Sequence, residues 1–549
     1  MPEPAPCSVQ GRPAAPGLAQ GPLVLLDETV AVSGPAAGPD EEATRLTRAI
    51  GAAVEDLTRL MTGLDAESAG IVEFQIAMLE DEALSAPALA GIAEGQGAAR
   101  AWQAVLDEQI ADYAAADDEY FRARASDLTD LRDRVLRNLG GGGATAAAVA
   151  GAILTGTDVT PTRFLEMDWS DGGGVALRKG SPTSHVAMLA RARGVPMVVG
   201  LGDIDLSAHR EALLDGESGA LILSPDAEER RRFAEQQAAF DAARRAAEPF
   251  RDKPGLTRDG QRIAVLINVA DPVELEALDP ALCDGIGLVR TELLFHGDDG
   301  LPDEERQYAV YRRILEWAGE RPVTIRTLDA GGDKPIAGLT AEGESNPFLG
   351  LRGLRLSLAR PEVFRVQLRA LARAACHGQL KVMLPMVTRP EELQAARRLF
   401  QEVLEELRAE GVDCTAAPLG IMVEVPAVAI TPELFAGADF FSIGSNDLTQ
   451  YVTAAGRDIA AVAELGDTAN PAVLKLIRSC VEGARALGIE VSLCGDAGGE
   501  PALIPDLLDC GLRSLSVAPA ALGRTKAAIA EVDLAGRAEN GSEGRHGQA

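Results

Sequence analysis

Residues 439–447 read DFFSIGSND, an apolar run that stops at Gly444 and gives way to Ser, Asn and Asp. A short run rich in Phe and Ile and bounded by Gly reads as a buried strand, and LTQYVTAAGR (448–457) continues it as a helical pattern. The same unit recurs along the C-terminal half. The runs are RIAVLINV (262–269), GIGLV (285–289), PVTIRTL (322–328), KVMLPMV (381–387), LGIMVEV (419–425), FFSIG (440–444), VSLCG (491–495) and SLSVA (514–518). Eight strand-then-helix repeats in roughly 270 residues predict a closed (β/α)8 barrel, whose active site lies at the C-terminal ends of its strands.

The polar residues ending those runs are therefore the candidates for chemistry. The second run ends at Arg290 with Thr291 and Glu292, the third at Arg326 with Asp329, and the fifth at Glu424. The sixth ends at Asn446 and Asp447, and the seventh at Cys494. Planar guanidinium groups bind phosphate and carboxylate in a bidentate way, so Arg290 and Arg326 suit an anionic substrate. Lys334, Arg352 and Arg457 are possible further cations. Glu424 and Asp447 offer hard oxygen donors of the kind Mg²⁺ takes. For any single Arg a surface ion pair is the plainer reading; several at one rim beside carboxylates make a site.

Upstream, SPDAEERRRFAEQQAAFDAARRAAE (224–248) reads as a helix capped by Ser224, with Pro225 first and Pro249 ending it. Its thin stripe of Phe233 and Phe240 suggests an exposed spacer. Before it, short apolar runs alternate with helix signals, and the first 25 residues add a short strand, which together make a small α/β unit. Between these parts, from about Asp40 to Leu139, apolar residues recur at helical spacing and Gly63, Gly70 and Gly95 mark breaks. This predicts a bundle of about four helices inserted into the α/β unit and closed by the joint Gly140 to Gly143.

Within the α/β unit, GSPTSH (180–185) runs into the amphipathic segment VAMLARARGVP. This sets His185 at a helix entrance, where unpaired backbone N–H groups and a partial positive charge await an anion. A neutral imidazole is also a competent nucleophile. Taken alone, an ordinary first-turn residue behind a Ser184 or Thr183 cap is the simpler reading.

Composition narrows the class. The chain has 549 residues, 46% hydrophobic and 25% charged, as in a globular protein of several domains. A net charge of −31 argues against nucleic acid and anionic membrane surfaces as partners and favours a basic protein. Its seven Cys are scattered without a CxxC pair, against both a disulfide framework and a zinc site. With no signal peptide pattern or bilayer-length apolar run, a cytoplasmic location is expected, without membrane insertion.

GSPTSH resembles the phosphohistidine motif of the phosphoenolpyruvate (PEP)-utilising enzymes. In addition, GLVRTELLF, VTIRTLDAGGDK, NPFLGLRGLR, IMVEVPA, DFFSIGSNDLTQYVTAAGR and LCGDAGG follow the order and spacing of the barrel signatures of the enzyme I family of the bacterial sugar phosphotransferase system. The resemblance covers residues 10 to 535. It implies that His185 accepts the phosphoryl group of PEP and that Arg290, Arg326, Asn446 and Arg457 bind substrate. Glu424 and Asp447 would hold Mg²⁺, and Cys494 would protonate the enolate to give pyruvate. A thiol is a reasonable acid for that step. Thr160, in DVTPT, is a possible orienter of the His185 ring. The sequence departs from the family pattern at Ser181, Val186, Thr453, Gly456 and Asp496, none of which removes a group implied in the chemistry.

The expected organisation is a phosphohistidine domain (1–30 plus 144–224), a helical phosphocarrier-binding domain (31–143), a linker helix (225–254), a PEP-binding TIM barrel (255–535) and a disordered tail (536–549). The implied partner is a histidine phosphocarrier resembling HPr, and the implied assembly a homodimer through the barrel. In the bundle, Ile71, Phe74 and Met78 fall at helical spacing among Glu73, Glu80, Asp81 and Glu82. A core stripe beside a solvated face is the ordinary reading, but the segment resembles the part of enzyme I that docks its carrier. An ATP-using dikinase sharing the His motif is not expected, since no glycine-rich nucleotide loop precedes His185.

Overall fold

The computed structural model describes the chain apart from residues 1–5, 27–37, 62–65, 115–118, 141–150, 181–183, 205, 207, 277, 296–300, 333–335, 337, 341–343, 457–461, 463–464 and 538–549. Contacts divide it into two compact units, Met1–Ala242 and Ala243–Ala549.

The first unit holds strands β1 (Cys7–Gln10), β2 (Arg12–Ala15), β3 (Leu18–Leu25), β4 (Ile153–Gly156), β5 (Gly174–Leu177), β6 (Met197–Val199), β7 (Glu211–Asp215) and β8 (Ala220–Leu223). They form one sheet in the order β1-β8-β7-β3-β4-β5-β6-β2. The N-terminal stretch thus supplies three strands where one was expected. Strands β3 to β6 are parallel neighbours, and the remaining pairings are antiparallel. Leu23 of β3 pairs with Ile153 of β4, so the chain leaves the sheet and returns to it at adjacent strands.

Every described element between those two strands is a helix: α1 (Pro39–Met61), α2 (Ala66–Glu80), α3 (Glu82–Ala93), α4 (Ala98–Ala114) and α5 (Glu119–Leu139). There are five helices here and not about four, because Asp81 separates α2 from α3. Its carboxylate accepts the Ala83 amide at 2.8 Å and caps the new helix. Gly70, read as a break, lies inside α2, whereas Gly95 does follow the end of α3 with a φ of 98°. Leu46, Leu57, Val72, Trp102, Leu106 and Leu131 meet in the bundle's own core.

Past β4 come α6 (Pro161–Leu165), α7 (His185–Arg193) and α8 (Ala227–Ala247). Asp226, and not Ser224, caps α8: its Oδ1 accepts the amides of Glu228 and Glu229, each at 2.8 Å. Ser224 instead adopts a left-handed φ of 47°. Nor is the first half of α8 an exposed spacer. Phe233 is buried against Leu18 and Leu213, and Gln237 donates to the Leu18 carbonyl at 3.0 Å. A thin apolar stripe sufficed, because the sheet face offered a partner for it.

In the second unit, β9 (Ala264–Val269), β10 (Ile286–Val289), β11 (Pro322–Arg326), β12 (Gln379–Leu384), β13 (Leu419–Val423), β14 (Phe440–Ile443), β15 (Glu490–Leu493) and β16 (Ser514–Val517) close into a parallel barrel. Each of the eight runs read from the sequence is one of these strands. Side chains alternate across each strand. Val382 and Leu384, like Ile421 and Val423, join the large core shared with the helices, while Met383 and Met422 join Leu288, Phe440 and Cys494 in a separate small cluster. That alternate set fills the barrel interior. At the far end, residues 534–537 are still helical, and Arg537 pairs with Asp506 at 3.3 Å and Asp509 at 2.6 Å. The expected tail thus starts no earlier than 538, outside the described residues. No described helix is long and apolar enough to cross a membrane.

Candidate active site

At the C-terminal ends of the barrel strands four carboxylates and two guanidinium groups are buried together: Glu292, Asp329, Glu424 and Asp447 with Arg326 and Arg352. Arg326, the last residue of β11, donates from Nη2 to Glu292 Oε1 at 2.7 Å and pairs through Nη1 with Asp329 Oδ2 at 3.1 Å. Arg352 grips Asp329 through Nε and Nη2, both at 3.0 Å. It reaches Asp447 as well, Nη1 to Oδ1 at 3.0 Å and Nη2 to Oδ2 at 3.2 Å. Burial alone would lower the proton affinity of both guanidiniums; Glu292, Asp329 and Glu424 around Arg326, and Asp329 and Asp447 around Arg352, raise it instead. Both therefore stay charged.

Glu424 lies one residue beyond β13 and is 1% exposed. Its Oε1 accepts the Met386 amide at 2.6 Å, and its Oε2 lies over Gly444, where a Cβ would come within 3.2 Å. Burial, together with Asp447 and Asp329, pushes this carboxyl well above the ordinary carboxylate range. Four buried acids face two bases, and a bound cation would favour the ionised form of Glu424. That excess of acid, with its hard oxygen donors, fits a divalent cation. Among the described residues no three acidic, His or Cys side chains close into a metal cage, so most coordination positions would fall to substrate and water.

Asn446 and Asp447 open the helix Ser445–Thr453 directly after β14, and Cys494 follows β15. Cys494 is 2% exposed and its Sγ lies 3.7 Å from the Ile443 carbonyl. Burial raises its thiol to about 11, so it carries its proton at neutral pH. Arg290 is exposed just beyond β10. Lys334 and Arg457 lie outside the described residues.

In the first unit His185 is the first residue of α7 and Ser184 its cap, accepting the Ala187 amide at 3.3 Å. The side chain of His185 and residues 181–183 lie outside the described set. Thr160 caps α6, accepting the Arg163 amide at 3.3 Å and donating to Asp130 Oδ1 at 2.9 Å. Its one hydroxyl hydrogen is thus committed to Asp130, and only acceptor capacity is left for an imidazole N–H.

Residues 244–534 match the family model of the PEP-utilising enzyme PEP-binding domain. Residues 10–124 match the PEP-utilising enzyme N-terminal model, and 148–219 its mobile domain. The phosphoenolpyruvate-protein phosphotransferase of Staphylococcus carnosus is 34% identical over 501 residues, covering 89% of this chain and 87% of that one. The chain belongs to the PEP-utilising enzymes, among the phosphoenolpyruvate-protein phosphotransferases. Multiphosphoryl transfer proteins of Rhodobacter capsulatus (40% identical) and Xanthomonas campestris pv. campestris (38%) also align, over 82% and 89% of this chain. The chain spans only 54% and 58% of their length.

Within this PEP-utilising enzyme the structure brings Arg326, Arg352, Glu424, Asn446, Asp447 and Cys494 to one end of the barrel. Three features escaped the sequence. Arg352, read as a further cation for substrate, has its hydrogen bonds spent on Asp329 and Asp447. Asp329 and Glu292 are the partners that hold Arg326, which spacing alone does not reveal. In the first unit, Asp130 on α5 also accepts from Thr162 Oγ1 at 2.6 Å and neighbours Arg134 at 3.6 Å, a buried network between bundle and α/β sheet that no motif announced.

Proposed function

We propose that the chain transfers the phosphoryl group of PEP to His185, releases pyruvate, and passes the phosphoryl group to an HPr-like histidine phosphocarrier of the sugar phosphotransferase system. The observation that carries the reading is the joint presence, at one barrel end, of Arg326, the pair Glu424 and Asp447, and a protonated Cys494. Arg290, Arg326 and Arg457 bind the phosphate and carboxylate of PEP, with Lys334 as a possible further cation. Asn446 donates to a phosphate oxygen. Glu424 and Asp447 hold Mg²⁺, which when bound neutralises charge on the phosphate and on the leaving enolate. Arg352 holds Asp447 in place, and the Met386 amide holds Glu424.

An imidazole nitrogen of His185 attacks phosphorus as the bond from phosphorus to the enol oxygen breaks. Cys494 gives its proton to the methylene carbon of the enolate, and the resulting thiolate regains a proton from solvent. Thr160 accepts a hydrogen bond from the other ring nitrogen and fixes the tautomer. Residues 1–30 with 144–224 form the phosphohistidine domain, 31–143 the phosphocarrier-binding domain, 225–254 the linker and 255–535 the PEP-binding barrel. The protein works in the cytoplasm as a homodimer through its barrel.

Incubation with labelled PEP and Mg²⁺ tests this reading. The expected product is an acid-labile label on His185, absent from His185→Ala. Stoichiometric label persisting on that variant overturns the assignment.

A further inference from the structure

The turn after β14 and the turn after β15 are clasped together by two side chains. Asn446 Nδ2 donates to Asp496 Oδ2 at 2.7 Å, and the Asp496 amide returns a bond to Asn446 Oδ1 at 2.9 Å. Both polar ends of the carboxamide are thereby fixed, with Ser445 Oγ adding a longer contact to Oδ1 at 3.4 Å. The turns approach closely: a Cβ on Gly495 would meet Ser445 Oγ at 1.9 Å, so only glycine fits there. Cys494 belongs to the same clasp. Its amide donates to the Ile443 carbonyl at 3.0 Å and its own carbonyl accepts Asn268 Nδ2 at 3.0 Å.

Three groups of different chemical role therefore hang on one joint: Asn446, Asp447 and Cys494. An amide carries two N–H hydrogens, and Asp496 takes one. The bond is charge-assisted, and it points the remaining N–H of Asn446 in one direction. Asp496 itself is exposed and has no place in the cluster of buried acids.

We propose that Asp496 is a positioning residue for phosphoryl transfer: by holding the Asn446 carboxamide at both ends, it sets the phosphate-contacting N–H in register with the Cys494 thiol across the two turns. This rests on the functional reading above. The shorter Asp side chain at a position where the family pattern has Glu makes the reach of this clasp a property of this chain.

The experiment uses the full chain with PEP and Mg²⁺, reading pre-steady-state label on His185, and adds an HPr-like phosphocarrier as phosphoryl acceptor to read steady-state pyruvate formation. Asp496→Ala is expected to lower kcat about tenfold and raise KM for PEP, as small misplacements at reacting groups do. Asp496→Asn keeps an oxygen acceptor for the Asn446 N–H and is expected to retain most of the rate. In an Asn446→Ala background, Asp496→Ala is expected to add no further loss, because the group it acts through is gone. Equal activity of Asp496→Ala and the unaltered chain overturns the proposal, as do losses that add fully in the double variant. If the unaltered chain takes no label from PEP, the functional reading falls and the proposal with it; label on the unaltered chain with an indifferent Asp496→Ala removes the proposal alone.

Discussion

Arg352 and Asp447 meet through two hydrogen bonds, at 3.0 and 3.2 Å, with the guanidinium fully buried. The same group is bidentate to Asp329, so one side chain balances two acids that follow different strands. Arg352→Met is expected to lower unfolding free energy by about 3–5 kcal/mol, because it strands buried charge. Arg352→Lys is expected to rescue little, since an ammonium cannot fork onto two carboxylates. Urea titration of the second unit's transition measures both. A Met variant as stable as the parent contradicts this role.

Cys494 is held protonated by burial, with its thiol at about 11. Cys494→Ser is expected to label His185 yet form pyruvate at least about a hundredfold more slowly, because a hydroxyl is far the weaker acid. The parent's protonation step should hold up to alkaline pH and fail only as pH rises through about 11. For stability, the folded value lies above the ordinary 9.0, so the contribution is complete below 9.0 and lost as pH rises toward 11. Trapping of pyruvate by a coupled dehydrogenase separates the two half-steps.

Asp130 gathers Thr160, Thr162 and Arg134 at a site only 3% exposed. Asp130→Ala is expected to cost about 3 kcal/mol through the unsatisfied partners it leaves. Thermal melting should show the loss in the first unit while the barrel transition stays in place.

On α2, Glu73 and Glu80 are exposed while Val72, Gln75 and Leu79 are buried, and the side chains of Ile71, Phe74 and Glu82 lie outside the described residues. Glu73→Lys with Glu80→Lys is expected to slow phosphate passage to a basic carrier about tenfold at low salt, with the deficit shrinking as salt rises. Labelling of His185 by PEP should be unchanged. A parallel fall of both half-reactions places the docking surface elsewhere.

The eight barrel runs and the entrance position of His185 were legible because short apolar runs, glycine stops and a Ser cap are local signals. The insertion of the bundle was legible for a similar reason, as a switch of period between two strand patterns. The α2–α3 break and the cap of α8 were misread, since several residue types can cap a helix and the local competition between them is close. Phe233 was misread because its partner Leu18 is over two hundred positions away.

By itself, then, the sequence determined which residues stand at strand ends and helix entrances, and so the set of groups available for chemistry. Tertiary structure alone decided how those groups divide their hydrogen bonds: Arg352 between Asp329 and Asp447, Asn446 onto Asp496, Thr160 onto Asp130. The physical reason is range. Strand and helix signals act over a few residues, whereas a buried charge is satisfied by whichever partner the closed barrel or the packed sheet brings within about 3 Å, and that partner is fixed only when the whole fold closes.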